Sequence, residues 1–187
     1  MGETVRNIPR LVIAGTQSGV GKTTLTAGLI RILRDRGLVV QPFKVGPDYI
    51  DPSFHSQAAG RQAHNLDSWL VGAEQIPELF AAACEGADIA IIEGVMGLFD
   101  GGKGGRSSTA EIAQILKAPV LLVHNCQSAG ESAAVSVLGF YHYQLDFAPA
   151  GVILNRLGSA THGEMIRSPL EERGVRVLAE VPRKPQL

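Results

Sequence analysis

Residues 11–30, LVIAGTQSGVGKTTLTAGLI, decide the fold of this 187-residue chain. Their apolar start predicts a strand over 11–15, and the amphipathic residues from Lys22 onward predict a helix. In a glycine-rich turn between two such elements, backbone N–H groups can surround a phosphate oxygen. Thr16 stands where such loops usually begin with glycine, but the turn stays permissive because of three other glycines, Gly15, Gly19 and Gly21. The stretch therefore predicts a phosphate-binding loop.

This loop gives nucleotide-binding roles to individual residues. Lys22 is expected to neutralise the β and γ phosphates of ATP, and Thr23 is expected to offer its hydroxyl to Mg²⁺. The alternative, a glycine-rich turn without a ligand, fits the flanking strand and helix poorly. The residues expected to contact the nucleotide are Thr16, Gln17, Ser18, Gly19, Val20, Gly21, Lys22, Thr23 and Thr24. ATP and Mg²⁺ are thus the expected cofactors.

The rest of the chain alternates short apolar runs with amphipathic stretches. Several runs are nearly continuous in Val, Ile and Leu, as expected of strands covered on both faces in a parallel sheet. Predicted strands lie at 11–15, 39–45, 88–95, 119–125, 150–156 and 176–181. Predicted helices lie at 22–36, 109–117, 130–143 and 161–173. This alternation predicts an α/β fold with a doubly wound, mostly parallel sheet.

Two of these helices carry further local expectations. Gly37 is expected to end the first helix. Ser108 and Glu111 have the spacing of a capping box at the start of the helix over 109–117. The stripe of the first helix that is expected to face the core consists of Leu25, Leu29, Ile32 and Leu33.

Composition excludes several classes of partner. Seventeen basic and eighteen acidic residues give a net charge of −1, so neither nucleic acid nor an anionic membrane is an expected partner. No apolar run reaches the ~18 residues that a membrane span needs, and the first ten residues lack the apolar core of a signal peptide. Cys84 and Cys126 are far apart in sequence, which favours a reduced, cytoplasmic setting and a structural role for both.

Polar residues are concentrated where the second predicted strand ends, in the stretch 44–52, KVGPDYIDP. Because ligands of open α/β sheets bind at the carboxyl ends of the strands, Lys44, Asp48 and Asp51 are candidate functional residues. Asp51 precedes Pro52 and could instead cap a helix, and Asp48 could be a turn residue after Gly-Pro. Both carboxylates are interpreted as functional, and Asp51 could combine the two roles.

The third predicted strand ends in Glu93, at the position where phosphate-binding-loop proteins usually have an aspartate that contacts Mg²⁺. A buried carboxylate without a partner is costly, so a nearby cation is the economical interpretation. The glycine-rich residues that follow, 94–105, are expected to form a mobile flap. Within them, Asp100 either orients substrate or occupies a turn.

Several other residues are weaker candidates. His55, His64 and His124 share no ligand spacing and are interpreted as packing or hydrogen-bonding residues. Trp69 is expected in the core, with a place in a pocket wall as the alternative. Asn155 ends the fifth predicted strand, where its amide could exchange two hydrogen bonds with an adenine edge or form a turn.

Five motifs occur in order along the chain: GTQSGVGKTT, FKVGPDYIDPSFH, NLDSW, EGVMGLFDG and STAEIA. Together they resemble the N-terminal synthetase domain of the cobyrinic acid a,c-diamide synthase family, over residues 10–182. KVGPDYIDP followed by EGVMGLFDG is far more specific than GxGKT, which many NTPases share. The loop G-T-x-x-x-V-G-K-T is similar to that of dethiobiotin synthetase, which accounts for Thr16. The resemblance implies a P-loop NTPase of the dethiobiotin synthetase type.

The resemblance also implies a reaction. In the family, ATP phosphorylates a peripheral carboxylate of a corrinoid substrate, and ammonia then displaces phosphate, so that the a and c carboxylates become amides. The residues that would stabilise the transferring phosphoryl group are Lys22 and Lys44. Those that would hold Mg²⁺ are Thr23, Asp48 and Glu93. Those that would contact the substrate or hold the acyl phosphate are Tyr49, Ile50, Asp51 and Asp100.

A second catalytic unit is implied as well. Ammonia in the family comes from glutamine, which a C-terminal amidotransferase domain hydrolyses with a cysteine nucleophile. Neither Cys84 nor Cys126 lies in the sequence context of such a nucleophile. Residues 1–187 are therefore expected to be a single ATP-dependent synthetase domain of a longer protein, with free ammonia able to replace glutamine. Related synthetases resemble dimers, so a homodimer is one expectation.

Other interpretations stay open. Nickel-sirohydrochlorin a,c-diamide synthase and cobyric acid synthase are similar families, and the former shares these motifs closely. Dethiobiotin synthetase has about this length, but its small diamino-acid substrate gives no use for PDYIDP and GLFDGGKGG together. A partition-type or septum-site switch ATPase belongs to a different class and acts on DNA or membrane. Proteins of that class carry a lysine where this chain has Gln17.

Overall fold

In the computed structural model, which describes residues 8–143 and 148–184, seven strands form one sheet. In chain order the strands are β1 (Arg10–Gly15), β2 (Val40–Val45), β3 (His64–Leu66), β4 (Ile89–Glu93), β5 (Val120–Asn125), β6 (Pro149–Leu157) and β7 (Val177–Pro182). Their order across the sheet is β3-β2-β4-β1-β5-β6-β7, and each neighbouring pair is parallel. The predicted doubly wound α/β fold is confirmed.

Helices connect the strands. They are α1 (Lys22–Asp35), α2 (Asp51–Ala59), α3 (Ser68–Val71), α4 (Ile76–Ala83), α5 (Thr109–Ile115), α6 (Glu131–Tyr143) and α7 (Ala160–Glu171). Short 3-10 turns lie at Ala73–Gln75 and Lys103–Gly105. The four predicted helices correspond to α1, α5, α6 and α7. None of the described helices is both long and apolar enough to cross a membrane.

The elements that the sequence pattern did not predict lie between residues 51 and 83. β3 has three residues, and His64 and Asn65 in it are exposed, so it lacks the apolar run of a longer strand. α2, α3 and α4 have nine, four and eight residues, too few for a clear helical period. As a result, Glu93 ends the fourth strand rather than the third, and Asn155 lies in the sixth rather than the fifth.

Two sets of buried side chains lie between the sheet and its helices. α1 and α2 cover one face, where Ile13, Ile30 and Ile91 pack together. Helices α4, α5, α6 and α7 contribute to the other set, which includes Phe43 and Ile92. Both faces of the central strands are therefore buried, in agreement with their continuous apolar sequences.

The buried side of α1 differs from the predicted stripe. Lys22, Thr26 and Ile30 are its buried residues, whereas Ile32 is 52% exposed. Partial burial is found for the other members of the predicted stripe, Leu25, Leu29 and Leu33. The covered side includes Lys22 because its ammonium hydrogen-bonds to backbone carbonyls, a polar contact that hydrophobic periodicity does not register.

The predicted helix ends are confirmed in one case and partly confirmed in the other. Gly37 has a left-handed φ of 88°, and its N–H donates to the Arg34 carbonyl at 2.8 Å, which ends α1. Ser108 caps α5 by accepting from the Glu111 N–H. The reciprocal bond of a capping box is replaced, because the Glu111 carboxylate accepts from the Ser107 N–H instead.

Replacing Phe43 by alanine should strongly destabilise the fold. Phe43 is fully buried and stacks on Phe80 at a centroid distance of 5.1 Å, so truncation should lower the free energy of unfolding by about 3–5 kcal/mol. Phe54→Ala is the matched control, since Phe54 is 52% exposed. Urea unfolding of both variants tests this, and equal losses would contradict the assignment of Phe43 to the core.

Candidate functional site

The phosphate-binding loop depends on two glycines in left-handed backbone conformations. Gly19 has φ 72° and Gly21 has φ 98°, values that a residue with a side chain rarely adopts. A Cβ on Gly21 would also lie 2.5 Å from Nδ2 of Asn155. Gly21 directly precedes α1, and the side chain of Val20 is fully buried. The loop therefore has the predicted strand-turn-helix geometry.

Lys22 crosses from this loop to the residues that follow β4. Its Nζ donates to the Met96 carbonyl at 2.6 Å and to the Gln17 carbonyl at 3.4 Å. Burial, together with the positive charge of Lys44, lowers the pKa of Lys22. Met96 has a left-handed φ of 45°, an uncommon conformation for a non-glycine residue. The unusual backbone at Met96 thus supplies an acceptor to the lysine that is predicted to meet phosphate.

A buried group of charges lies at the ends of β2 and β4. Lys44 and Glu93 are register partners on these adjacent strands, and both side chains are almost fully buried. Nζ of Lys44 lies 3.2 Å from Oε1 of Glu93 and 2.7 Å from Oδ2 of Asp51. The Thr23 hydroxyl donates to the same Glu93 oxygen at 2.7 Å. Glu93 therefore connects the phosphate loop to the carboxylates that follow β2.

The second oxygen of Glu93 is bonded to Nε2 of His55, which lies on α2 and is fully buried. Burial by itself would raise the pKa of Glu93, but the His55 hydrogen bond, the Lys44 charge and the Thr23 hydrogen bond outweigh it and hold the pKa below its ordinary value. An ionised carboxylate only accepts, so Nε2 of His55 is the donor. Nδ1 of His55 is buried without a hydrogen-bond partner among the described residues.

The structure gives different contacts to Asp48 and Asp51, the two carboxylates for which the sequence left a structural or a functional role open. Asp51 is the first residue of α2, and the capping position is Ile50, so the predicted cap at Asp51 is wrong. Oδ1 of Asp48 accepts from the N–H groups of Ile50 and Asp51, at 2.8 and 3.1 Å. The turn is thus stabilised by Asp48, and the Asp51 carboxylate is left to pair with Lys44.

One cleft of about 410 Å³ brings most of the predicted residues together. Its lining includes Ser18, Gly19, Gly21, Lys22, Thr23, Thr24, Lys44, Asp48, Asp51, Glu93 and Arg156. Tyr49 and Ile50 follow Asp48 and are 87% and 70% exposed, so they are accessible to a ligand. Thr16 is directed elsewhere, since its hydroxyl is 3.0 Å from Nδ1 of His124.

Asp100 and the glycine-rich segment around it pack beside the loop. Oδ2 of Asp100 accepts from the Gly97 N–H at 2.8 Å, which gives this residue the turn role that was one of its two alternatives. Gly97 comes so close to the loop that a Cβ there would lie 3.1 Å from the Thr16 carbonyl. A substrate contact for Asp100 and the mobility of residues 94–105 stay predictions.

Asn155 holds the phosphate loop from the side of β6. Its Nδ2 donates to the Val20 carbonyl at 2.7 Å, and its Oδ1 accepts from the Arg156 N–H at 2.9 Å. Asn155 also lines a second cleft, of about 450 Å³, which shares Gly21, Thr24 and Arg156 with the first. The amide keeps one hydrogen and further lone-pair capacity, so the predicted adenine contact stays a prediction.

Two residues of the site were missed by sequence reasoning. His55 was interpreted correctly as a hydrogen-bonding residue, but its partner, Glu93, could not be foreseen. The signal that could have placed His55 at the site was its position four residues after Asp51 on one helix. Arg156 lines both clefts with a left-handed φ of 60°. Its charge next to Asn155 at a strand end was the signal there.

The remaining weaker candidates described below are buried or hydrogen-bonded within the fold, with one exception. Cys84 and Cys126 are buried, as expected of structural cysteines, and burial raises the pKa of each thiol to about 11. His124 bonds to Thr16. The exception is Trp69, which is 71% exposed. The predicted core position is wrong, because α3 is a four-residue helix beyond the edge strand β3.

No group of three or more His, Cys, Asp or Glu side chains among the described residues forms a ready metal site. Mg²⁺, however, is commonly held by one or two protein oxygens together with phosphate oxygens and water. The Thr23 hydroxyl and the Glu93 carboxylate are hard oxygen ligands that already lie 2.7 Å apart at the cleft. This pair fits the chemistry of Mg²⁺ bound together with a nucleotide.

Comparison with known proteins agrees with this geometry. A family model described as CbiA, the CobQ/CobB/MinD/ParA nucleotide binding domain, matches residues 11–187. The chain belongs to the CbiA family. This membership confirms the nucleotide-binding P-loop fold and agrees with the position of the Gly19–Gly21 turn before α1.

Similar curated proteins narrow the position of this CbiA domain within the family. It is 50% identical over 95% of its length to the cobyrinate a,c-diamide synthase of Archaeoglobus fulgidus. It is also 50% identical, over 95% of its length, to the hydrogenobyrinate a,c-diamide synthase of Rhodobacter capsulatus. The chain spans 40% and 41% of the lengths of these relatives. The resemblance to the cobyrinic acid a,c-diamide synthase family is confirmed.

A solved structure shares the fold alone. The signal recognition particle receptor FtsY from Elizabethkingia anophelis superposes with a TM-score of 0.66 at 17% identity, covering 94% of this chain and 58% of that one. At such identity the likeness extends to the arrangement of strands and helices around the phosphate loop, and no further.

Replacing His55 by alanine should destabilise the protein by about 1–3 kcal/mol, because the buried Glu93 carboxylate loses a donor. His55→Gln should recover most of this loss, since its amide reaches about as far as Nε2 and donates a hydrogen bond. Urea unfolding at neutral pH measures both variants. If glutamine were as damaging as alanine, the role of His55 would be to fill space rather than to donate to Glu93.

Proposed function

We propose that this chain is the ATP-dependent synthetase domain of a cobyrinate or hydrogenobyrinate a,c-diamide synthase. The observation that carries the proposal is the single cleft in which the Lys22 ammonium and the Lys44–Asp51–Glu93 cluster lie together. A phosphate donor and a carboxylate acceptor could meet there. The two synthases that are 50% identical to this chain over the 181 aligned residues supply the substrate class.

The proposed reaction has two steps. A substrate carboxylate attacks the γ-phosphorus of ATP, and the bond to the β-phosphate oxygen breaks to release ADP. The lone pair of ammonia then attacks the acyl carbon, the carbon–oxygen bond to phosphate breaks, and a proton leaves the nitrogen, which yields the amide. Charge develops on phosphoryl oxygens in the first step, and Lys22 and Lys44 are positioned to stabilise it.

Mg²⁺ would be held by Thr23 and Glu93, with Asp48 as a further oxygen ligand at the cleft wall. When bound, Mg²⁺ would neutralise phosphate charge. The nucleoside would extend into the second cleft, which adjoins the first at Gly21, Thr24 and Arg156. Asn155 in its wall would contact the base. Tyr49 and Ile50, both exposed beside Asp48, would contact the substrate.

Glutamine is the proposed source of ammonia in a longer polypeptide. Neither Cys84 nor Cys126 suits glutamine hydrolysis, because a nucleophilic cysteine needs an accessible thiolate and both thiols are buried with a pKa of about 11. Free ammonium is therefore the nitrogen donor to use with this chain. A homodimeric assembly and a cytoplasmic location belong to the same proposal.

The amidation assay tests the proposal directly. The protein is incubated with ATP, Mg²⁺, ammonium and either cobyrinic or hydrogenobyrinic acid, and the tetrapyrrole is followed by mass spectrometry. Formation of a diamide together with ADP is expected. Conversion of diaminopelargonic acid instead would favour a dethiobiotin synthetase. Amidation of nickel sirohydrochlorin alone would favour the nickel enzyme. ATP turnover that responds only to DNA or lipid would favour a switch ATPase.

Lys22→Ala provides the matched inactive variant for this assay. Loss of a charge that stabilises the transferring phosphoryl group should lower the rate about 10²–10³-fold. Lys117→Ala is the control, since Lys117 is exposed and lies between α5 and the amino end of β5, whereas the cleft lies at the carboxyl ends of the strands. Amide formation that persisted at the full rate in Lys22→Ala would mean that the loop does not hold the phosphate donor.

A further inference from the structure

An open groove of about 690 Å³ lies next to the cleft, on the side of the residues that follow β2. We call it the Trp69 groove; its lining includes Pro47, Asp67, Trp69, Lys103, Arg106 and Ser107. The groove is separate from both nucleotide clefts, and the reaction steps above assign no role to it. Its wall contains the one tryptophan of the chain.

The backbone of Trp69 is held by hydrogen bonds, and its side chain is exposed. The backbone nitrogen of Trp69 is 2.9 Å from both Oδ1 of Asp67 and Oγ of Ser107. The Ser107 hydroxyl donates to Asp67 at 2.6 Å. Ser107 itself has a left-handed φ of 57°. The indole, which is 71% exposed, is therefore a flat apolar surface carried on a backbone that is fixed beside the groove.

The charge of the groove is positive. Neither Lys103 nor Arg106 makes a salt bridge or side-chain hydrogen bond with any residue between 8 and 143 or between 148 and 184. The nearby Asp67 carboxylate is occupied, since it accepts from Trp69, Leu70 and Ser107. Two unpaired cations beside an aromatic face suit a ligand that is both flat and anionic.

The groove is joined to the proposed phosphoryl-transfer cleft by a short, hydrogen-bonded segment. Pro47 of the groove directly precedes Asp48 of the cleft. On β3, Nδ2 of Asn65 donates to the Asp48 carbonyl at 2.8 Å, and Asp67 follows the same strand. A ligand lying over Trp69 would therefore extend one edge toward Asp48 and Lys44.

We infer that the Trp69 groove binds the macrocycle of a planar polycarboxylate; this inference rests on the proposed function. The indole contacts the face of the ring, while Lys103 and Arg106 pair with peripheral carboxylates that are not being amidated. This leaves another carboxylate at the edge of the ring to enter the cleft. Charge complementarity favours this occupant over a protein partner, because the groove combines two cations with a single flat aromatic face.

Binding of cobyrinic acid to the full chain tests the inference. Equilibrium dialysis with detection of the corrinoid by absorbance measures affinity without the need for turnover. Lys103→Ala/Arg106→Ala should weaken binding about tenfold, and high salt should weaken wild-type binding in the same direction. Trp69→Ala should also weaken binding about tenfold, whereas Trp69→Phe should retain most of the affinity.

The control variant Arg36→Ala/Arg176→Ala also removes two positive charges, at exposed residues that precede the amino ends of β2 and β7, and should bind like wild type. Citrate, which has carboxylates but no ring, should compete weakly.

Wild-type affinity in both groove variants, with amidation intact, would overturn the inference and leave the proposed function standing. No corrinoid binding by wild type, with ATP binding retained, would overturn both. A change of oligomeric state in the Trp69 variants instead would mean that the groove is covered by a second copy.

Discussion

The site depends on keeping an ionised carboxylate buried at Glu93. Removing a charge from water is expensive unless partners compensate it. Here the compensation comes from three different elements: Lys44 on β2, His55 on α2 and Thr23 on α1. Because each partner belongs to a different part of the chain, the carboxylate is stable only when the strand ends and both helices are assembled correctly. The same contacts set the geometry of the cleft.

Parallel strand order explains how residues far apart in sequence reach this carboxylate. β4 lies between β1 and β2, so the residue that ends it is next to the phosphate loop on one side and next to Lys44 on the other. α1 and α2 cover the same face of the sheet. A nucleotide held at the loop and an acid held after β2 would therefore meet at Glu93, as the proposed amide ligase requires.

Much of this arrangement could be predicted from sequence, because strongly apolar strands and the GxGKT turn have local patterns. The ends of β1, β2 and β4 were found, and they supplied Lys22, Lys44, Asp48, Asp51 and Glu93. What could not be predicted depends on tertiary contacts. His55 owes its role to a partner 38 residues away, and the exposure of Trp69 follows from a short helix beyond an edge strand. The buried side of α1 also differs from the predicted stripe, because the tertiary hydrogen bonds of Lys22 bury that residue.

The most direct test of this account is the ionisation of Glu93 itself. Carbon-13 NMR can follow the glutamate side-chain carboxyls during an acid titration, with Glu93→Gln used to assign the resonance. The account predicts that the Glu93 carboxyl keeps its charge to a pH below its ordinary pKa of 4.5, because three donors outweigh the cost of burial. A carboxyl that took up its proton above that value would show that burial dominates, and the ionised Glu93 described for this site would be wrong.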